Sequence, residues 1–197
     1  MNRPKENKRL PPGQTEIPAI LRWGKEHPSI TPSIPRISSS TWSLTIDGEV
    51  ERPLKLSYAQ LLGYPATESV IDFHCVEGWS VLGCKWEGAA FKVLADAVKP
   101  MQRGRFVLFG CADGYSTSLP LEELVRGNAL LAYKLNGEEL PDDLGGPVRL
   151  IVADKYAYKD AMWVNRITFT ARKELGYWEM RGYSDTADPW KEDRLAI

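Results

Sequence analysis

A chain of 197 residues, 43% hydrophobic, has the length of one domain able to bury an ordinary core. Its 25 basic and 26 acidic residues leave a net charge of −1, which excludes the broad positive field of a nucleic-acid binder. Three cysteines, Cys75, Cys84 and Cys111, form no C-x-x-C pair, so reduced thiols are expected rather than a disulfide framework or a structural zinc site.

The N-terminal MNRPKENKRLPPGQ carries basic residues with no apolar segment behind them and no twin arginine. No later run approaches the roughly 20 apolar residues of a membrane helix, so a cytoplasmic protein without a membrane span is expected. Seven of the 14 prolines precede Ile37, and residues 1–40 read as an extended arm that wraps the domain or stays loose. Residues 41–197 then form the domain. Trp42, Leu44 and Ile46 alternate with polar residues up to Asp47-Gly48, a strand running into a turn. In LSYAQLL, Ser57 and Gln60 have the capping-box spacing of a short helix.

Glu68 to Phe73 reads as a strand, followed by the loop HCVEGWS and then by Phe91, Leu94, Ala95 and Val98 at helical spacing, stopped by Lys99-Pro100. RFVLFGC is a strand, Asp113-Gly114 a turn, LEELVR a short helix, and ALLAYKL a strand ending in the hairpin signal Asn136-Gly137. PVRLIVA and MWVNRITFT are two more strands, and the tail GYWEMRGYSDTADPW is aromatic and irregular. Seven or so strands with a few short helices predict a mixed α/β fold of the α+β kind.

A cysteine at a strand end is first a small apolar packing residue, and Cys84 and Cys111 take that reading by default. Cys75 differs: its neighbours are polar and a glycine follows, which suits a loop whose backbone approaches something closely. A thiolate there is a nucleophile or a soft-metal ligand. A Cys–His hydrolase would need His27, in the Pro-rich arm, or His74, whose side chain should point to the opposite face from that of its neighbour. His74 alone reads as a hydrogen-bonded structural residue. Arg149 lies in a strand that otherwise reads as buried, so it needs an anionic partner, either an internal carboxylate or a bound phosphate. Lys155, Lys159 and Arg166 among Tyr156, Tyr158 and Trp163 make a basic, aromatic stretch suited to an organic anion.

HCVEGWS with WEG, then DGYSTSLPLEEL, GGPVRLIV, KYAYKDAMWV and GYWEMRGYSDTADPW stand in register over about Thr41 to Trp190. In that order the chain resembles the molybdopterin-binding oxidoreductase domain of the sulfite oxidase family, in particular its small single-domain members and the catalytic subunit of protein-methionine-sulfoxide reductase. The resemblance implies a molybdenum cofactor with a single pterin, a sulfite-oxidase-type fold, and oxygen-atom transfer to or from a small sulfite- or sulfoxide-like substrate, the metal cycling between oxidation states six and four. It implies that Cys75 ligates the metal, that Tyr183 lies over it, and that His74, Cys111 and Arg149 meet the pterin, Arg149 at its phosphate.

Departures from the family's pattern are Leu144, where many members carry His or Asn, and Met162, where a cofactor-binding Lys often precedes the tryptophan; Lys155 or Lys159 would then compensate. Glu77 stands where positive charge follows the cysteine in animal sulfite oxidases, which argues against sulfite. Electrons would be exchanged with a separate carrier such as a cytochrome, since no haem-attachment or iron–sulfur cysteine pattern is present. The alternative is a non-redox binding protein of the same fold that holds another organic anion, and metal analysis separates the two.

Overall fold

A computed structural model describes residues 10–127 and 129–196. In chain order the strands of its first half are β1 (Thr15–Glu16), β2 (Ser43–Gly48), β3 (Leu54–Ser57), β4 (Ala66–Val70), β5 (Phe73–His74), β6 (Trp79–Val81) and β7 (Lys85–Ala90). Those of the second half are β8 (Phe106–Cys111), β9 (Ser116–Pro120), β10 (Leu130–Leu135), β11 (Glu138–Glu139), β12 (Arg149–Ile151) and β13 (Val164–Thr170). Three helices, α1 (Tyr58–Leu62), α2 (Phe91–Val98) and α3 (Leu121–Arg126), join them.

The locally encoded elements form where their chemistry places them. The Gln60 amide donates to Ser57 Oγ, and the Gln60 side chain accepts from the Ser57 amide at 2.8 Å, closing the capping box of α1. Helix α2 buries Phe91, Leu94, Ala95 and Val98 on one face and ends where Lys99 turns left-handed before Pro100. Each large side chain on that face contributes roughly 1.5–3 kcal/mol by leaving water. Asn136 and Gly137, both at positive φ, close the β10–β11 hairpin as a two-residue turn.

Between Glu68 and α2 the structure differs from the expected single strand and loop. The strand breaks at Ile71-Asp72 into β4 and β5, and β6 and β7 intervene before α2. Strand β6 is buried at all three residues and so lacks alternation. Strand β7 is rich in small residues because it runs between β4 and β10; a Cβ at Gly88 would sit 2.3 Å from the Leu131 carbonyl oxygen. Only the neighbouring strands make such a sequence a strand. Strands β1 in the arm, β3 ahead of α1 and β9 after the Asp113-Gly114 turn are further additions.

Two five-stranded sheets, ordered β11-β10-β7-β4 with β12 on β10, and β3-β2-β13-β8-β9, enclose the main core with α2 and α3. A three-stranded sheet, β1-β6-β5, carries a second core over the opposite face of the first sheet. The division follows the period of two along each strand. Leu131 and Tyr133 of β10 and Leu150 of β12 enter the main core, while Leu130, Ala132 and Ile151 enter the second. Arg149 shares the face of Ile151, and that register puts a guanidinium among the side chains of the Cys75 side.

Candidate active site

Cys75 leaves β5 in a tight turn: its amide donates to the Trp79 carbonyl at 2.8 Å, and the Gly78 amide donates to the Cys75 carbonyl at 3.1 Å. Gly78 has φ +101°, and a Cβ there would lie 3.1 Å from the Gly13 carbonyl oxygen. Glycine at this position therefore lets the N-terminal arm lie against the loop, where the Thr15 amide donates to the Gly78 carbonyl at 2.9 Å and β1 pairs parallel with β6.

A cavity of about 320 Å³ opens beside this turn, and Cys75, Arg149 and Tyr183 all line it. Arg149 is 1% exposed. Its Nη1 and Nη2 donate to the carbonyls of Leu144 and Asp160 at 2.9 and 3.1 Å, and its guanidinium lies 5.4 Å from the ring centre of Phe73 and 5.6 Å from that of Trp86. Its Nε has no hydrogen-bond partner, and among the described residues no carboxylate lies within 4.0 Å of it. Of the two anionic partners expected from sequence, an internal carboxylate is not the one in contact.

Asp160 is the nearby acid. Burial pushes its carboxyl up to about 7, against the opposing effects of Arg149 and of the Val152 amide that donates to Oδ1 at 2.8 Å. With the folded value above the unfolded one, the native state holds a proton between about pH 4 and 7 that the unfolded chain has released. Asp160 thus favours folding at the acidic end of that window, and the benefit is lost as pH rises through it. Asp160→Asn keeps the Oδ1 acceptor and should remove this slope. Urea unfolding at steps between pH 4.5 and 7.5 checks it, and identical pH profiles for variant and wild type would refute it.

The arm supplies residues that sequence reasoning set aside. Trp23, His27 and Ile30 line the cavity, with His27 stacked on Trp23 at 4.4 Å. His27, Cys75 and Glu77 bring one donor atom each within 4.8 Å of one another. His27 Nε2 faces Glu77 Oε2 at 3.0 Å and Nδ1 faces the Pro28 carbonyl at 2.9 Å, so neither ring nitrogen directs a lone pair at the thiol. Burial pushes the Cys75 thiol up to about 12. A neutral thiol without a base is not the nucleophile of a Cys–His hydrolase. The signal in the sequence was the Pro-rich stretch itself, an extended segment able to lie on a surface.

The other candidates are not among the cavity-lining residues. His74 is buried with Nδ1 2.8 Å from Ser80 Oγ, and burial holds its imidazole below the usual histidine value. Cys111 sits in the main core, its thiol raised well above the ordinary value by burial. Lys155 pairs with Glu123 at 2.8 Å and donates to the Thr186 carbonyl. Lys159 donates to the Ser118 carbonyl at 3.1 Å and to Glu179 Oε1. Met162 lines the cavity, and Leu144 offers Arg149 its carbonyl.

The sequence matches the model of the oxidoreductase molybdopterin binding domain over residues 31–178. The chain belongs to this family. It is a molybdenum-cofactor-dependent oxidoreductase of the sulfite oxidase family. It is 33% identical over 191 residues to the uncharacterized oxidoreductase YuiH of Bacillus subtilis, covering 95% of this chain and 92% of that one. It is 30% identical over 159 residues to the catalytic subunit MsrP of protein-methionine-sulfoxide reductase from Campylobacter jejuni, covering 72% of this chain but 53% of MsrP. The crystal structure of the sulfane dehydrogenase SoxCD from Paracoccus pantotrophus shares the fold, with a TM-score of 0.66 at 23% identity over 71% of this chain and 40% of that one. The sulfite-oxidase-type fold expected from sequence is thus the observed one.

The cavity suits the family's cofactor on its own chemistry. Cys75 is a free thiol on the wall, a soft donor matched to a metal already bound by sulfur. Arg149 presents a buried guanidinium with an unsatisfied Nε and no internal counter-ion in contact, as a phosphate would require.

Proposed function

We propose that this oxidoreductase transfers an oxygen atom to or from a small, uncharged sulfur compound of the sulfoxide or thioether kind, exchanging two electrons with a separate protein carrier. The observation that carries the reading is the meeting of Cys75, Arg149 and Tyr183 on one cavity whose other walls include Trp23, Ile30, Tyr177 and Trp178. The bound cofactor supplies the two-electron chemistry, in which a sulfoxide, two electrons and two protons give a thioether and water, or the reverse.

In this reading Cys75 would hold the metal as a thiolate and Arg149 would neutralise the pterin phosphate. The aromatic walls exclude water and hold an apolar substituent. The Tyr183 hydroxyl donates a hydrogen bond to the substrate oxygen, where charge develops during transfer. Glu77 beside the thiol repels an anion such as sulfite, and the similarity to MsrP, named for a sulfoxide substrate, points the same way.

Elemental analysis of protein made in a host with active molybdopterin synthesis is expected to find molybdenum. The loaded protein should then reduce an alkyl sulfoxide with a reduced viologen dye and leave sulfite unoxidised. Sulfite turnover exceeding sulfoxide turnover would reject the substrate class. Tyr183→Phe is expected to lower kcat by about 100-fold; unchanged kinetics on the true substrate would remove this residue from the site.

A further inference from the structure

Two described segments remote in sequence, around Gln14 and Arg194, converge on the Cys75 turn. From the arm, Gln14 Nε2 donates to the Cys75 carbonyl at 3.1 Å, and Gln14 Oε1 accepts from Ser80 Oγ at 2.8 Å. From the tail, Arg194 Nη1 donates to the Val76 carbonyl at 2.7 Å and Nη2 to the Gly13 carbonyl at 3.4 Å, with the guanidinium 5.6 Å from the centre of the Tyr156 ring. The backbone of Arg194 and of the two residues after it holds the Tyr183 segment: the Arg194 carbonyl accepts from the Ser184 amide at 2.9 Å, Leu195 bridges Tyr183, and the Ala196 amide donates to the Gly182 carbonyl at 2.9 Å.

We infer that Arg194 is a positioning residue that ties the Cys75 turn to the Tyr183 segment and so sets the spacing of the two across the cavity, with Gln14 as a second tie on the turn alone. The physical reason lies in the turn itself. Gly78 holds it at a positive φ, and beyond the Gly78 amide on the Cys75 carbonyl, the carbonyls of Cys75 and Val76 accept from side chains remote in sequence, Gln14 and Arg194. Groups that orient a ligand's backbone act on the metal through that ligand, and a cation there also shapes the field it feels. The guanidinium is charged and reaches two separate backbone oxygens from two different nitrogens, whereas a glutamine is neutral, shorter and has a single amide nitrogen. The role rests on Cys75 being the metal ligand, as proposed above.

The test compares Arg194→Gln, Arg194→Lys and Gln14→Ala with wild type by two readouts that need no substrate. Amide hydrogen exchange on the cofactor-free chain is expected to quicken about tenfold in Arg194→Gln, both over residues 75–78 and over 182–184. In Gln14→Ala it quickens over residues 75–78 alone. In the loaded protein, the electron paramagnetic resonance spectrum of the one-electron-reduced metal should shift in both variants, with Arg194→Lys returning towards wild type. Wild-type exchange in both segments of Arg194→Gln would overturn the inference. So would an unshifted spectrum, or a loss that tracks the melting temperature alone and is not recovered by lysine. If Arg194→Gln fails to fold, Arg194→Met, which keeps most of the side chain's length, decides by the same exchange and spectral criteria. A wild-type protein that shows the spectrum but neither takes oxygen from sulfoxides nor gives it to thioethers would refute the substrate class and leave this inference standing.

Discussion

Cys75→Ser is expected to lower molybdenum-dependent turnover by more than about 100-fold, since loss even of a group that only orients a metal ligand costs that order. The melting temperature should move by only a few degrees. Serine nearly matches cysteine in size, and the turn that presents residue 75 is made by backbone bonds that the substitution leaves in place. What changes is the donor: a hydroxyl must lose a far less acidic proton to bind, and the resulting alkoxide is a hard ligand for a metal surrounded by sulfur. Cys84→Ser is the control. Cys84 is 2% exposed, its Sγ faces the Val81 carbonyl at 3.6 Å, and it does not line the cavity. Its substitution should cost some stability and leave the molybdenum content unchanged. Full turnover in Cys75→Ser, or loss of metal in Cys84→Ser alone, would move the ligand elsewhere.

The second large effect is on stability. Lys159 and Glu179 form an ion pair with side chains 0% and 1% exposed. Thr117 Oγ1 also donates to Glu179 Oε1, at 2.8 Å. Burial holds the Lys159 ammonium below its usual value while Glu179 pulls it back up. Lys159→Ala leaves the Glu179 carboxylate buried without its cation and should destabilise the fold by about 3–5 kcal/mol, and Glu179→Ala, which leaves Lys159 only the more distant Asp185 carboxylate at 4.0 Å, should also destabilise it. The double variant Lys159→Met/Glu179→Leu removes both charges and should cost less than the sum of the singles by roughly 1–3 kcal/mol. Urea unfolding across the four proteins measures this. Because Glu179 follows Tyr177 and Trp178, which line the cavity, breaking the pair also loosens that wall. A Lys159→Ala protein of near wild-type stability that retains little molybdenum would instead put this ammonium on the cofactor, as the family resemblance implies.

Much of this protein is legible locally. The capping box of Ser57 and Gln60, the apolar face of α2, the Asn136-Gly137 turn and the buried strand around Arg149 are patterns that a short window contains, because helix and strand periods and turn dihedrals are set by residues a few positions apart. The same holds for Cys75: a thiol among polar neighbours with a glycine behind it already marks a loop where chemistry occurs, and its family resemblance names the metal. Strands β6, β7 and β9 were not legible in this way. Their residues are uniformly buried, or small, or hydroxylic, and each becomes a strand by pairing with neighbours already in place.

What only the tertiary structure decided is which distant groups meet. Lys155 and Lys159 belong to a basic, aromatic stretch that suits an organic anion, yet the fold directs them to Glu123 and Glu179. His27 lay in an arm with no assigned destination and stands beside Cys75 and Glu77. Gln14 and Arg194, 180 positions apart in a 197-residue chain, hold adjacent carbonyls of one turn. The sequence by itself determined the donor type at the site and the elements that carry it, since softness, charge and period belong to the residues. The partners of each charge and the closure of the cavity were left to the fold, because an ion pair or a hydrogen bond depends on separations of a few ångströms that only the packing of remote segments creates.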